Sequence, residues 1–255
     1  MKATNYFGDD RLRYRVVYSK DGYKECIYCE KEADTREHIP SKVFLNRPFP
    51  EHLSTLPACK SCNNSYSHDE LFVSLLIQLL KQKYYGSNYS FSNEVNSRIE
   101  NKRNIETVKN IKNVINTGEL NVYQHQVSRV LTKLAIGHAV WEIFGEFCIE
   151  DVEVTSDTAN ISYAFLNELS QKEVDEFFSY FDITNQVLPE VGCRAYEHIL
   201  VLEQDGEEPK YFLDWVEVQE SEYLYTCYRF GDEIIVKIAI NSFLFAKVIL
   251  RESNS

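Results

Sequence analysis

The chain has 255 residues, a formal net charge of −12, and is 44% hydrophobic and 26% charged. Seventeen Tyr and fifteen Phe beside nine Gly and six Pro exclude a disordered or low-complexity chain, and no apolar run approaches the roughly 20 residues of a membrane span. Residues 81–255 hold 16 basic and 28 acidic side chains and carry the whole surplus, while residues 1–80 hold 11 of each. An acidic body repels phosphate at long range. Any contact with nucleic acid therefore has to come from the N-terminal part, from bound cations or from a partner.

The opening MKATNYFGDDRLRYR has no apolar core of a secretory signal, so a cytoplasmic location is the default expectation. RLRYRVVY, residues 11–18, alternates basic and apolar side chains and predicts a strand. CIYC and a polar stretch follow, and the four prolines of IPSKVFLNRPFPEHLSTLP make that segment mostly loop. Leu71, Leu75, Leu76, Leu79 and Leu80 recur at helical spacing and predict a helix from about Asp69 to Tyr85. Asp69 and Glu70 would then favour its N-terminal dipole. GSNYSFSN, residues 86–93, reads as a linker, and 94–115 as a polar helix. Val127, Val130, Leu131, Leu134 and Val140 mark one face of a stronger helix over Val122–Phe144, and a further helix is expected over Ser170–Phe181. Beyond Tyr196 the period changes to two, with turns at Gln204-Asp205-Gly206 and Gly231-Asp232, which predicts an antiparallel meander.

Of seven cysteines, Cys26, Cys29, Cys59 and Cys62 form two C-x-x-C pairs. Each pair is a tight knuckle whose thiolates face one ion, and two knuckles complete a tetrahedron, so the four are expected to bind one zinc ion. Four thiolates leave no open position, which makes that zinc structural. Cys148, Cys193 and Cys227 lie in apolar or strand-like sequence and read as buried thiols. Between the knuckles, Glu37-His38-Ile39-Pro40 places a carboxylate and an imidazole on consecutive residues. In extended backbone they point in opposite directions, so one can hold a metal while the other addresses a water. Asn63 follows the second knuckle, at a point where the sequence allows a helix to begin. His68, Asp69 and Glu70 are either further ligands or helix-terminal groups. His125, His138 and His198 read as core or surface residues. The aromatic meander could stack bases, but its interleaved charges are mostly acidic and favour a sheet core.

The ordered string CIYC, EHIP, CKSCN resembles the four-cysteine branch of the HNH nucleases, which have a ββα-metal fold. The likeness covers about residues 24–70, roughly a fifth of the chain. The resemblance implies that the four cysteines hold structural zinc. It further implies that Glu37 is the metal-binding acid, His38 the general base, and Asn63 a second ligand to a catalytic divalent cation, Mg²⁺ by preference. The implied reaction is phosphodiester hydrolysis in DNA. The sequence departs from the family pattern in having Glu for the commoner Asp. It also lacks a clear middle Asn, for which Asn46, His52 and Ser54 lie in the right region, and has Ser65-Tyr66-Ser67-His68 where a basic residue is usual.

The expected layout is α+β. A small zinc-braced ββα-metal module spans 1–85, and an acidic α+β body spans 86–255, with helices to about 181 and strands from about 196. Expected partners are DNA and either a regulatory subunit or a second copy through the acidic body. Anti-phage defence is suggested by family analogy alone. The alternative is a non-catalytic zinc-binding regulatory or interaction protein that retains the HNH fold.

Overall fold

The computed structural model describes residues 25–29, 31–50, 53–142, 159–178, 187–189, 200–202, 210–212, 215–230 and 233–251. The strand expected over 11–18, Cys148, Cys193, His198 and the turn at 204–206 lie outside these residues.

Strand β1 (Thr35–Ile39) pairs antiparallel with β2 (Ser54–Ala58), in a register running from Thr35 opposite Ala58 to Ile39 opposite Ser54. Pleating turns Glu37 and Ile39 into the protein and leaves Arg36 and His38 half-buried on the other face. Helix α1 (Lys60–Tyr85) starts directly after the second knuckle, with the Cys59 sulfur accepting from the Cys62 amide at its N-terminus. The helix therefore begins well before Asp69. Its first turns are half-exposed and polar, so they carry no apolar period to read, whereas Phe72–Leu80 are all buried. The helix ends at Gly86, whose φ of 59° suits glycine.

The polar helix expected over 94–115 is two helices. Helix α2 (Asn93–Glu100) is capped by the Ser92 hydroxyl, and α3 (Ile105–Thr117) ends at Gly118 in the left-handed region. Asn101 breaks the run between them, its extended backbone held by a side-chain bond from the Arg103 amide. Helix α4 (Gln124–Glu142) buries Val127, Val130, Leu131, Leu134, Ala135 and Ala139. It lies so close to β1 that a Cβ at Gly137 would overlap Ile39 Cδ1. One turn earlier on the same face is Lys133.

Strand β3 (Asn160–Phe165) and helix α5 (Gln171–Phe178) lead into β4 (Val187–Pro189), β5 (Leu200–Leu202), β6 (Lys210–Phe212), β7 (Trp215–Gln219), β8 (Tyr223–Phe230), β9 (Glu233–Ile240) and β10 (Leu244–Arg251). Strands β5 and β6 form their own antiparallel pair, and the main sheet runs β3-β10-β9-β8-β7-β4. Strands β7 to β10 are the expected meander, antiparallel at each step, and β3 adds to it antiparallel through β10. The β4 edge departs from the expectation and pairs parallel to β7. Both faces of the sheet are covered. Tyr223, Tyr225, Val236 and Ile238 join the core of α1 and α4, while Trp215, Leu224, Tyr228 and Phe245 pack on Val174, Phe177 and Phe178 of α5. This double cover is why β9 and β10 bury residues on both faces and depart from the strict period of two expected of them.

The three-residue β9–β10 loop, Asn241 to Phe243, has Asn241 and Ser242 at positive φ and is closed by the Phe243 amide on the Ile240 carbonyl. Asn241 is fastened to α1, its Oδ1 accepting from Gln78 at 3.0 Å and its carbonyl from Lys81 at 2.9 Å. The architecture is α+β, with a four-cysteine cluster at its N-terminal end. One core unites Ile39 and Leu56 of the hairpin, the buried face of α1, α4 and the sheet. Segments 1–85 and 86–255 both contribute to it. Among the described residues no helix is long and apolar enough to cross a membrane.

Candidate metal centre and adjoining ion-pair cluster

The first knuckle is closed by the Cys29 amide on the Cys26 carbonyl, 3.2 Å, and the Ile27 amide pins it to the Pro57 carbonyl of β2, 3.2 Å. The second knuckle is the N-terminal turn of α1. The two meet at the end of the hairpin, where the four sulfurs lie within 4.8 Å of one another and Cys29 Sγ is 3.6 Å from Cys59 Sγ. Among the described residues this is the group of His, Cys, Asp or Glu side chains placed to bind a metal ion. The Ser61 hydroxyl and the Cys62 amide beside Cys59 bring its thiol down to about 6, while burial pushes Cys26 and Cys62 up. One thiolate is thus ready near neutral pH, and the others give up their protons to an incoming cation.

Glu37 and His38 leave β1 on opposite faces, as expected of an extended pair. Glu37 is buried, and its Oε1 accepts from Lys133 Nζ at 2.7 Å and from Ser41 Oγ at 3.1 Å. Glu70 joins the same cluster, accepting from Ser41 Oγ at 2.5 Å and from Lys133 Nζ. Lys133 also reaches Ser41 Oγ at 2.8 Å, so each ammonium proton has an oxygen. The lysine side chain is 0% exposed and its two carboxylate partners 6% and 8%. Burial holds the Glu37 carboxyl above its ordinary range against the opposing pull of Lys133, and the Glu70 charge pushes the same way.

Tyr28 stands beside this cluster. Its hydroxyl is buried and has no hydrogen-bond partner among the described residues. Burial, and then the charges of Glu37 and Glu70, push its pKa well above that of an ordinary tyrosine, so the phenol keeps its proton. Its ring lies 5.6 Å from that of Tyr66, which has Arg129 at 4.4 Å and Lys133 Nζ at 5.6 Å from its centre.

His38 is half-buried, and its imidazole makes no hydrogen bond to the described residues. Burial, followed by the charges of Lys42 and Lys133, lowers its pKa and so favours the neutral imidazole. Asn63 donates its amide to Thr35 Oγ1 at 3.3 Å and to the Arg36 carbonyl at 3.5 Å. It ties α1 to β1 and shares no partner with Glu37. Asp69 pairs with Arg129, and the exposed His68 is 3.8 Å from Asp69. The dipole role expected of Asp69 and Glu70 is overturned, because α1 starts at Lys60. The acid at that N-terminus is Asp34, which accepts from the Lys60 amide at 2.6 Å.

Of the groups considered for the middle Asn, Asn46 is bound to Gln219 and Ser92, Ser54 is buried in β2, and His52 lies outside the described residues. His125 is exposed. His138 is buried in α4, its Nε2 2.8 Å from the Tyr223 hydroxyl and its ring stacked 3.7 Å from Tyr225. Sequence reasoning passed over Lys133, Ser41 and Tyr28. The one signal was a lysine on the apolar side of α4, between Val130 and Leu134.

Comparison with protein-family models, curated proteins and solved structures finds no match.

Proposed function

We propose that the chain is a metal-dependent endonuclease of HNH type that hydrolyses phosphodiester bonds in DNA. The observation that carries this reading is the order knuckle, hairpin, knuckle, helix, with Glu37 and His38 on opposite faces of β1. A ββα-metal module has that arrangement by the resemblance on which the proposal rests. Zinc is the ion proposed for the cysteines. Four thiolates at about 2.3 Å from a tetrahedral centre stand about 3.8 Å apart, and Cys29 and Cys59 are separated by 3.6 Å.

In the proposed reaction the neutral His38 accepts a proton from a water aimed at phosphorus. Glu37, with Asn63 as the second ligand that the resemblance implies, would hold a Mg²⁺ ion, whose chemistry there would be to stabilise charge on the leaving oxygen. The acidic body favours DNA delivery by a partner subunit or a second copy. A role as an effector of anti-phage defence rests on analogy alone.

The test is plasmid cleavage by the zinc-loaded full chain in Mg²⁺. His38→Ala is expected to slow cutting by roughly 100-fold or more, and an equal rate rejects the assignment. One observation favours a second reading, a non-catalytic zinc-binding interaction protein: the Lys133 ammonium rests on the Glu37 carboxylate. Full zinc occupancy without cleavage in either Mg²⁺ or Mn²⁺ would select that reading.

A further inference from the structure

One face of the β1–β2 hairpin carries His38 together with a cation that is held in place without being neutralised. Arg36 and His38 stand two residues apart on β1, so their side chains leave the strand on the same side, opposite to Glu37. Thr55 lies directly across from His38 in the register and belongs to that side as well, and such cross-strand neighbours have their Cβ atoms about 5 Å apart. Arg36 reaches diagonally to Thr55. Its Nε donates to the Thr55 hydroxyl at 2.9 Å and its Nη2 to the Thr55 carbonyl at 3.4 Å. These bonds use one edge of the guanidinium and fix its plane beside the residue that faces His38. The Nη1–Nη2 edge is left over, a two-pronged donor that fits two oxygens of a phosphate.

The surroundings leave that charge available. Arg47, Arg129 and Arg251 each rest on a carboxylate, in keeping with a chain of 39 acidic and 27 basic side chains. Arg36 has no carboxylate partner among the described residues and is aimed by a neutral hydroxyl and a carbonyl instead. Neither strand puts a carboxylate on this face, since Glu37 points the other way and Ser54–Ala58 contains none. After burial, the charge of the exposed Lys42 is the next cause that lowers the His38 pKa, so a second cation stands close by. We propose that Arg36, aimed by Thr55, binds the DNA phosphate presented to His38, gripping two of its non-bridging oxygens. This rests on the reading that His38 acts on a phosphodiester, and it supplies from the protein itself the positive charge that holds the reacting group. The acidic body repels the substrate at long range, and Arg36 binds it at contact.

The experiment measures binding of a short fluorescein-labelled DNA duplex to the zinc-loaded full chain by anisotropy, without Mg²⁺, over a series of salt concentrations. Arg36→Gln is expected to weaken binding roughly tenfold and to lower the slope of log affinity against log salt by about one, the signature of one lost phosphate contact. Thr55→Val keeps the charge and loses its aim, so it is expected to weaken binding by roughly threefold or more with the slope unchanged. Affinity and slope that ignore Arg36→Gln overturn the proposal, as does a Thr55→Val chain that binds like the parent. A parent with no measurable binding at low salt overturns it too. Should Arg36→Gln not fold, judged by circular dichroism and zinc content, Arg36→Lys decides. It keeps the charge without the fork, and roughly fivefold weaker binding supports the contact while unchanged binding rejects it. The readout is separate from cleavage. A chain that binds DNA through Arg36 and cuts none in Mg²⁺ rejects the nuclease reading alone, and cleavage at the parent's rate by Arg36→Gln rejects the contact alone.

Discussion

Lys133 lies on the buried side of α4 with its ammonium protons shared among Glu37, Ser41 and Glu70. Bringing an ammonium into the interior costs several kcal/mol, which only good geometry and full hydrogen bonding recover. Removing one partner strands the rest. Lys133→Met without added divalent ion is therefore expected to lose about 3 kcal/mol in urea unfolding, and a loss below ~1 kcal/mol would mean that the cluster does not hold the charges described. At this scale the sequence was legible where chemistry is local. The cysteine spacing and the opposed directions of Glu37 and His38 follow from a few consecutive residues. The partners of Glu37 do not, because Ser41, Glu70 and Lys133 arrive from a loop and two helices.

Among the elements, α4 and the meander could be placed from their periods, since each buries a regular face. The start of α1 could not, because Cys59 and Asp34 set it rather than an apolar stripe. The parallel β4 edge also escaped, as strand direction depends on connections rather than on side chains. On β9, Lys237 donates to the Phe177 carbonyl at 2.8 Å, and burial followed by the nearby Lys247 brings its pKa from 10.5 down to about 8. Between those values the unfolded chain keeps a proton that the folded chain has released, so stability rises with pH through that window. Below about 8 both states hold the proton, and burying the charge works against folding. Lys237→Met removes this dependence. Its stability advantage over the parent is expected to shrink as urea unfolding is repeated from pH 7 to pH 10, and a constant difference would contradict the cause given for the shift.

For the molecule as a whole, one core joins the hairpin carrying the cysteines to the sheet that carries Trp215. The sequence indicated an α+β body but not this union, because interlayer contacts connect residues far apart in the chain. A metal bound to the native state alone stabilises everything that unfolds with it. Stripping the metal with a strong chelator, or substituting Cys59→Ser, is expected to move the urea midpoint seen by tryptophan fluorescence and by far-ultraviolet circular dichroism together. A sheet that melts at an unchanged midpoint after metal loss would show that the two regions unfold independently.

The distance along the chain between Glu37 and Lys133 has a consequence in time. Lys133 follows Glu37 by 96 residues, which at the usual pace of synthesis separates their appearance by on the order of ten seconds. A nascent chain thus displays both knuckles, Glu37 and Glu70 before the ammonium that neutralises them has been made. During that interval the two carboxylates stand without their buried partner, and the core can close over them only once α4 has been made.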